Sequence, residues 1–294
     1  MKLAVLGIGL MGFPMARRLC EAGHTVHAWN RSPDKAQRLA AFGAQVHHEL
    51  AQAVAPADVV VSLLEHGDAV AQVLFEQGAA AAMRPGTLMI DMASIRPDQA
   101  REHSARLAAC GVAHLDAPVS GGTAGADQGT LAIMVGGDAA DFERAQPVFA
   151  ALGRATLVGG HGAGQLAKLA NQMIVGITIG AVAEALLLCE KSGVDPAKVM
   201  QALAGGAADS RILRMHGQRM IDRDFAARAR MTVQLKDLRN ALASARDAGM
   251  AAPITQLLEQ LFSEGAGDGL AGHDHSAVFL TLERRKPATG APER

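Results

Sequence analysis

The chain opens with a short apolar run, residues 3–6 (Leu-Ala-Val-Leu), that passes without a break into Gly7-Ile8-Gly9-Leu10-Met11-Gly12. The run reads as a buried strand and residues 11–20 read as a helix, so the glycines fall on a strand-to-helix turn. Each glycine has its own reason in that setting. Gly7 permits the tight turn, Gly9 lets a pyrophosphate approach the backbone, and Gly12 lets helix and strand pack closely. The start of the helix then offers unpaired N–H groups and a partial positive charge. The pattern predicts a dinucleotide cradle at Gly7, Gly9, Leu10, Met11 and Gly12.

Short apolar runs keep alternating with helical stretches through the first half of the chain. Strands are expected at 25–29, 58–63, 87–91, 112–115, 131–135 and 155–158, with helices at 33–42, 68–83 and 97–110. This order implies an α/β fold on a mainly parallel sheet with right-handed crossovers. Ligands of such sheets lie beyond the carboxyl ends of the strands. After about residue 162 only helical patterns follow, at 164–191, 196–204, 212–222, 232–249, 253–264 and 276–283, set off by Gly, Pro or Asp. The expected organisation is a dinucleotide-binding domain over 1–162, an all-helical substrate and dimerisation domain over 163–286, and a disordered polar tail over 287–294.

The 294 residues carry 28 basic against 29 acidic side chains, a net charge of −1, so no basic excess points to nucleic acid or an anionic membrane. Cys20, Cys110 and Cys189 are odd in number and lack metal or redox spacing, so reduced, buried thiols are expected. The N-terminus lacks a signal-peptide pattern, and the longest apolar run, 173–183, falls short of the ~20 residues of a membrane span. A cytoplasmic protein with no membrane partner is expected. His273 and His275 lack a carboxylate partner in the sequence pattern and are expected at a surface or interface, with no metal site.

The helix expected at 164–191 is apolar almost all round from Met173 to Leu188, with only Thr178 and Glu184 polar. A helix without a polar face must be covered. A domain of roughly 100 residues struggles to cover it alone. A homo-oligomer through the helical domain is therefore expected, with Gly176 and Gly180 admitting another helix closely.

Three segments carry chemistry beyond the glycine turn. An acidic side chain about 20 residues past the glycines usually holds a ribose 2′-hydroxyl. Here the second strand ends Trp29-Asn30-Arg31-Ser32, with no carboxylate. A guanidinium suits a phosphate, so Asn30, Arg31 and Ser32 predict NADP(H) in preference to NAD(H). Next, Ser120-Gly121-Gly122 follows a strand, and successive glycines with a hydroxyl make an anion nest for a carboxylate. A purely structural glycine loop explains that segment equally well. Last, Lys168 lies one turn into the long helix, with Asn171 and Gln172 about 60° and 40° round from it on one face. Desolvation can fit such a Lys for acid–base work, against the plainer reading of a surface Lys.

Taken together, Gly7 to Ala16, Asp116 to Gly122, Gly162 to Gln172 and Lys236-Asp237-Leu238 resemble the β-hydroxyacid dehydrogenase family, over essentially the whole chain. The family includes 3-hydroxyisobutyrate dehydrogenase, tartronate semialdehyde reductase (2-hydroxy-3-oxopropionate reductase) and glyoxylate/succinic semialdehyde reductases. The resemblance implies an N-terminal Rossmann domain, a long interdomain helix, an all-α C-terminal domain, and dimers or tetramers. It makes Lys168 the catalytic acid/base and places the substrate carboxylate on Ser120, Gly121 and Gly122. Asn171 and Gln172 become substrate contacts, an Asn-Gln pair that looks like the tartronate semialdehyde reductase branch. Leu63, Leu64, Ser94 and Lys236 become cofactor contacts. The implied activity is hydride exchange between nicotinamide and a small β-hydroxyacid or semialdehyde bearing a carboxylate. The alternatives within the family are 3-hydroxyisobutyrate, 3-hydroxypropionate or serine dehydrogenase and glyoxylate or succinic semialdehyde reductase. Imine reductases and non-catalytic relatives typically lack a Lys at this position. The stretch 225–235 departs from several branches and leaves the substrate open.

Overall fold

The computed structural model describes residues 1–285; the tail expected at 287–294 lies outside them. The chain divides into two compact units, Met1–Lys168 and a second beginning at Leu169.

The first unit is built on one sheet of nine strands: β1 (Lys2–Leu6), β2 (Thr25–Trp29), β3 (Gln45–His47), β4 (Val59–Ser62), β5 (Leu88–Asp91), β6 (Ala113–Asp116), β7 (Val119–Ser120), β8 (Leu131–Gly137) and β9 (Gly153–Gly159). The path runs β3-β2-β1-β4-β5-β6-β8-β7, with β9 on β8. The first six strands are parallel, in the order 3-2-1-4-5-6 of dinucleotide-binding sheets. β8 then runs antiparallel to β6 and β7. The strand order reverses between β1 and β4, which opens a crevice at the glycine turn.

Its helices are α1 (Gly12–Glu21), α2 (Pro33–Gln37), α3 (Leu50–Val54), α4 (Gly67–Ala71), α5 (Ala79–Ala82), α6 (Pro97–Ala108), α7 (Gly122–Gln128) and α8 (Ala139–Leu152). Side chains alternate faces along each strand, which sorts the core in two. Leu3, Val5, Val59, Val61, Leu88 and Ile90 join one cluster with Met15 and Phe149. Ala4, Leu6, Val60 and Met89 join the other with Leu74 and Leu107. Each buried Val, Leu, Ile, Met or Phe among them contributes roughly 1.5–3 kcal/mol.

Several expected elements came out differently. The single helix expected at 68–83 is broken into α4, a π-helical turn at 72–76 and α5, because Gly78 takes φ +79°. The short β3 and α3 carry too few residues to show a period. α8 carries Pro147 in its interior, which hides its helical pattern in the sequence, and α7 is a helix formed by a glycine-rich stretch.

α9 (Ala163–Lys191) is one continuous helix of 29 residues. By length and composition it is long and apolar enough to cross a membrane, because isolated polar residues leave an 18-residue stretch of it with a mean hydropathy of 1.9. The second unit continues with α10 (Pro196–Leu203), α11 (Gln218–Ile221), α12 (Met231–Asp247), α13 (Pro253–Gly265) and α14 (Val278–Arg284). Ile179, Ala183 and Leu186 of α9 pack with Leu238, Leu258, Phe262 and Phe279. Gly176 and Gly180 face helices of this same unit: a Cβ at Gly176 would stand 2.6 Å from Gln234 Nε2, and one at Gly180 would strike Leu258. Their close approach serves α12 and α13, not another chain.

Candidate active site

Two of the three opening glycines are demanded by the protein's own packing. Gly7 has φ +99°, and a Cβ on it would lie 2.7 Å from Leu63 O; one on Gly12 would overlap Gly7 O. A Cβ on Gly9 would meet nothing within 4 Å. Packing does not explain Gly9; a group lying against the bare backbone does. The first turn of α1 has no acidic residue and no side-chain cap, so its N–H groups stay available to an anion. Asn30 Oδ1 accepts from Ile8 N at 2.8 Å, and its Nδ2 donates to Ser32 O at 2.9 Å. Asn30 thus braces the glycine turn against the end of β2. Arg31 and Ser32 are exposed, and Arg31 makes no ion pair or hydrogen bond among the described residues. A cleft of about 530 Å³ opens beside Gly9 and Leu10, lined also by Phe13, Lys35, Arg38 and Asp127. The Arg38 guanidinium lies 4.4 Å above the Phe13 ring. This bare backbone, helix start and set of cations fit the diphosphate and adenosine portions of a nicotinamide dinucleotide.

Leu63-Leu64 and Ser94 follow the carboxyl ends of β4 and β5, Ser120 ends the short β7 that follows β6, and all four side chains are half-buried. Gly121 (φ +142°) and Gly122 (φ +64°) follow Ser120, and a Cβ on Gly122 would meet nothing within 4 Å. Lys168, on the second turn of α9, is only 9 % exposed. An ammonium so far from solvent is not the surface Lys of the plainer reading.

Asn171, Gln172 and Lys236 belong to the second unit, where they share one polar cluster. Asn171 Nδ2 donates to Gln172 Oε1 at 2.9 Å, and Gln172 Nε2 donates to Asp237 Oδ2 at 2.7 Å and Gln234 Oε1 at 3.2 Å. Gln234 Nε2 returns a bond to Gln172 O at 2.9 Å, and Lys236 Nζ lies 3.3 Å from Asp237 Oδ1. The amide of Gln172 is therefore fixed in orientation by α12.

Three buried residues of the first unit had no role in the sequence reading. Asp91 ends β5 and Asp116 ends β6, paired across the parallel ladder. Asp116 Oδ1 accepts from Gly162 N at 2.7 Å and Oδ2 from Gln165 N at 2.9 Å, which caps the start of α9. Burial pushes Asp116 up, against those two bonds. Asp91 is pushed up to about 6 by burial, against hydrogen bonds from Ser62 Oγ and Ala93 N and with added repulsion from Asp116. Gln165 is fully buried and bonds the backbone on both sides of Ser94. The signal that could have found the two acids is visible in hindsight: apolar strands that end in Asp at the carboxyl edge.

In the second unit His275 is buried rather than at a surface, edge-on to His216 with ring centroids 4.6 Å apart, while His273 is exposed as expected. His216, Asp274 and His275 bring ligand-type atoms within 4.8 Å of one another. Arg219 Nη1, however, lies 3.2 Å from both Asp274 oxygens, and the same carboxylate accepts from Ala229 N and from Ser276 N and Oγ. A carboxylate already neutralised and saturated in this way is a fold-stabilising ion pair.

Residues 2–160 match the NAD binding domain of 6-phosphogluconate dehydrogenase, and residues 162–282 match the NAD-binding domain of NADP-dependent 3-hydroxyisobutyrate dehydrogenase. The chain is 44 % identical to 2-hydroxy-3-oxopropionate reductase of Escherichia coli K12, over 96 % of this chain and 97 % of the relative. It is 37 % identical to 3-hydroxyisobutyrate dehydrogenase of Pseudomonas aeruginosa, over 89 % and 91 %. Among solved structures, 3-hydroxyisobutyrate dehydrogenase of Mycobacterium tuberculosis with L-serine superposes with a TM-score of 0.88 at 35 % identity, covering 97 % of this chain and 99 % of that one.

Proposed function

The chain belongs to the β-hydroxyacid dehydrogenase family, a nicotinamide-dependent oxidoreductase acting on a CH–OH group, and from that premise we infer that it reduces a small carboxylate-bearing aldehyde of the 2-hydroxy-3-oxopropionate type with NADPH. The observation that carries this reading is the buried Lys168, on a helix whose first turn is capped by Asp116 at the end of β6, the strand that leads to Ser120. A proton donor and an anion nest thus belong to one edge of the sheet that carries the glycine turn.

Bound nicotinamide supplies the hydride. The chain supplies binding, orientation and the proton. The Ser120 hydroxyl and the N–H groups of Gly121 and Gly122 receive the substrate carboxylate. The Lys168 ammonium hydrogen-bonds the carbonyl oxygen and donates a proton as charge develops there. In the oxidative direction neutral Lys168 takes the hydroxyl proton. Asn171 orients the substrate oxygens, and Gln172, its own amide hydrogens taken by Asp237 and Gln234, holds the Asn171 amide in place for that contact. Gly7, Gly9, Leu10, Met11 and Gly12 hold the diphosphate, with Leu63, Leu64, Ser94 and Lys236 along the rest of the cofactor. Asn30, Arg31 and Ser32 receive the 2′-phosphate, which sets the preference for NADP(H).

Residues 1–162 serve the cofactor and 163–286 the substrate and the subunit contact. Leu166, Ile174 and Leu188 are 55 %, 66 % and 68 % exposed on α9, and a second copy in a dimer or tetramer covers them. α9 is a core helix of a cytoplasmic enzyme, since it also bears Lys168, Gln172 and Glu184.

The test is NADPH absorbance at ~340 nm with 2-hydroxy-3-oxopropionate, succinic semialdehyde, glyoxylate, methylmalonate semialdehyde and cyclic imines, and NADP⁺ reduction with 3-hydroxyisobutyrate, 3-hydroxypropionate and L-serine. Highest kcat/KM is expected for 2-hydroxy-3-oxopropionate. Turnover of cyclic imines alone would overturn the reading.

A further inference from the structure

Two side chains fasten the start of α9 to the sheet edge without reaching any group assigned above to substrate or cofactor. Asp116 accepts from the N–H groups of Gly162 and Gln165. Gln165, three residues before Lys168, then uses both ends of its amide on one short loop. Its Oε1 accepts from Ile95 N at 3.0 Å and its Nε2 donates to Ala93 O at 2.8 Å. Those two backbone groups flank Ser94. The N–H of Ala93 is held from the other side by Asp91 Oδ1 at 3.1 Å. Ser94 therefore sits between two points fixed by β5 and by α9.

The bonding pattern is specific to an amide. One acceptor and one donor are needed, in a site with no water-exposed surface on Gln165. Leaving either backbone group unmet there costs about 1–3 kcal/mol. Residues three apart on a helix share a side, about 4.5 Å apart along the axis. Gln165, which clamps Ser94, thus stands about one turn before Lys168 on the same side of α9.

We propose that Gln165 is a positioning residue for the hydride-transfer reaction: its amide holds the Ser94 loop in register with the turn of α9 that presents Lys168. The proposal rests on the roles given above to Ser94 and Lys168. Its cost when lost is catalytic, because a displacement of ~1 Å between proton donor and reacting atoms can lower turnover 10²-fold.

Two variants of the full-length enzyme test it. Gln165→Met keeps the volume and removes both hydrogen bonds. It is expected to lower kcat roughly 10- to 100-fold, and to raise the primary isotope effect measured with deuterated NADPH, because hydride transfer slows relative to product release. Gln165→Glu restores the pattern only when protonated, its O–H then donating to Ala93 O and its carbonyl accepting from Ile95 N. Asp116 of β6 accepts from Gln165 N and Asp91 of β5 accepts from Ala93 N, His161 and Lys168 stand four residues before and three after residue 165, and Arg101 of α6 lies against Gly162; burial and the two carboxylates favour the protonated form. The ratio of Gln165→Glu to wild-type kcat is expected to rise as pH falls from about 8 to about 6. A Gln165→Met enzyme that melts earlier but keeps kcat and isotope effect would reduce Gln165 to a structural role. So would a flat ratio for Gln165→Glu, which decides the matter if the Met variant does not fold. If wild type reduces the aldehyde and Lys168→Ala does not, while Gln165→Met turns over normally, this inference alone fails. If wild type reduces no carboxylate-bearing aldehyde, the function itself is wrong.

Discussion

Asp91 in the first unit and Asp274 in the second are both fully buried carboxylates, yet they hold protons in opposite senses. Burial pushes Asp91 up to about 6; Ser62 Oγ at 2.5 Å and Ala93 N offset part of that, and Asp116 on the next strand adds to it. Its Oδ2 has no hydrogen-bond partner among the described residues. Burial would raise Asp274 too, but bonding from His216, the charge of His275 and bonds from Ser276 and Ala229 hold it well below the usual carboxylate range. His114, two residues before Asp116, repeats the contrast: neither ring nitrogen is bonded, and burial lowers it to about 3. At Asp91 and His114 the first unit leaves polar groups of its strands under-compensated, whereas Asp274 of the second is satisfied. Under-compensation costs stability and is kept where chemistry uses it. Satisfaction of the kind seen at Asp274 serves the fold.

That division predicts variants whose losses fall on different measurements. Lys168→Ala should lower kcat about 10²- to 10⁴-fold, with NADPH affinity by fluorescence titration and the melting temperature little changed. Asp274→Asn should do the reverse. It leaves Arg219 without its counter-ion, and breaking such a buried pair costs about 3–5 kcal/mol, roughly 10 °C or more in Tm for a unit of this size. The kcat per folded molecule should hold. A melting curve unmoved by Asp274→Asn, or a Lys168→Ala enzyme lost to unfolding, would break the comparison.

How much of this was legible beforehand follows the same line. The glycine turn was, because a bare backbone demands glycine at fixed spacing; the structure adds that only Gly9 is left unexplained by packing. So was the unusual setting of Lys168, because a charge on an apolar helix is conspicuous, and the structure shows it buried. Asp116, Gln165 and Asp91 were not, since a single polar residue at a strand end or helix start carries no period and its partner is a distant backbone group. Asp274 was hidden for the same reason: Arg219 lies 55 residues away along the chain. The two glycines of α9 were legible as a close approach but not as to whose helix approaches, because the sequence pattern of a helix face is the same for a neighbour in the chain and one in another subunit.

Asp91 offers a smaller and oppositely signed test. Its folded pKa of about 6 lies above the ordinary carboxylate value. Between those two values the folded state binds more protons than the unfolded, so this group's contribution to stability falls as pH rises from ~4 to ~6 and stays low above that. At about 1.4 kcal/mol per unit, the deficit at neutral pH is about 2–3 kcal/mol. Asp91→Asn keeps an oxygen to accept from Ser62 and Ala93 and removes the buried charge. Urea denaturation at pH ~8 should show the variant more stable than wild type, with the difference vanishing near pH ~4. Equal stability at both pH values would mean that Asp91 is compensated after all, and would erase the contrast with Asp274.

The smallest effect is expected at Arg31, an exposed side chain with no protein partner among the described residues. Removing it disturbs no internal bond, so Arg31→Ala should leave Tm where it is. What it removes is a guanidinium available to a phosphate, at an exposed site where solvent and salt weaken the pair. The expected loss is roughly tenfold in kcat/KM for NADPH, the low end for a charge-assisted hydrogen bond, with NADH changed less than about twofold. Raising salt should narrow the wild-type preference toward that of the variant, since Lys35 and Arg38 in the cleft beside Gly9 are screened as Arg31 is. An unchanged NADPH to NADH ratio in Arg31→Ala would move the phosphate contact to those two cations, and the exposed charge at the end of β2 would then serve solubility alone.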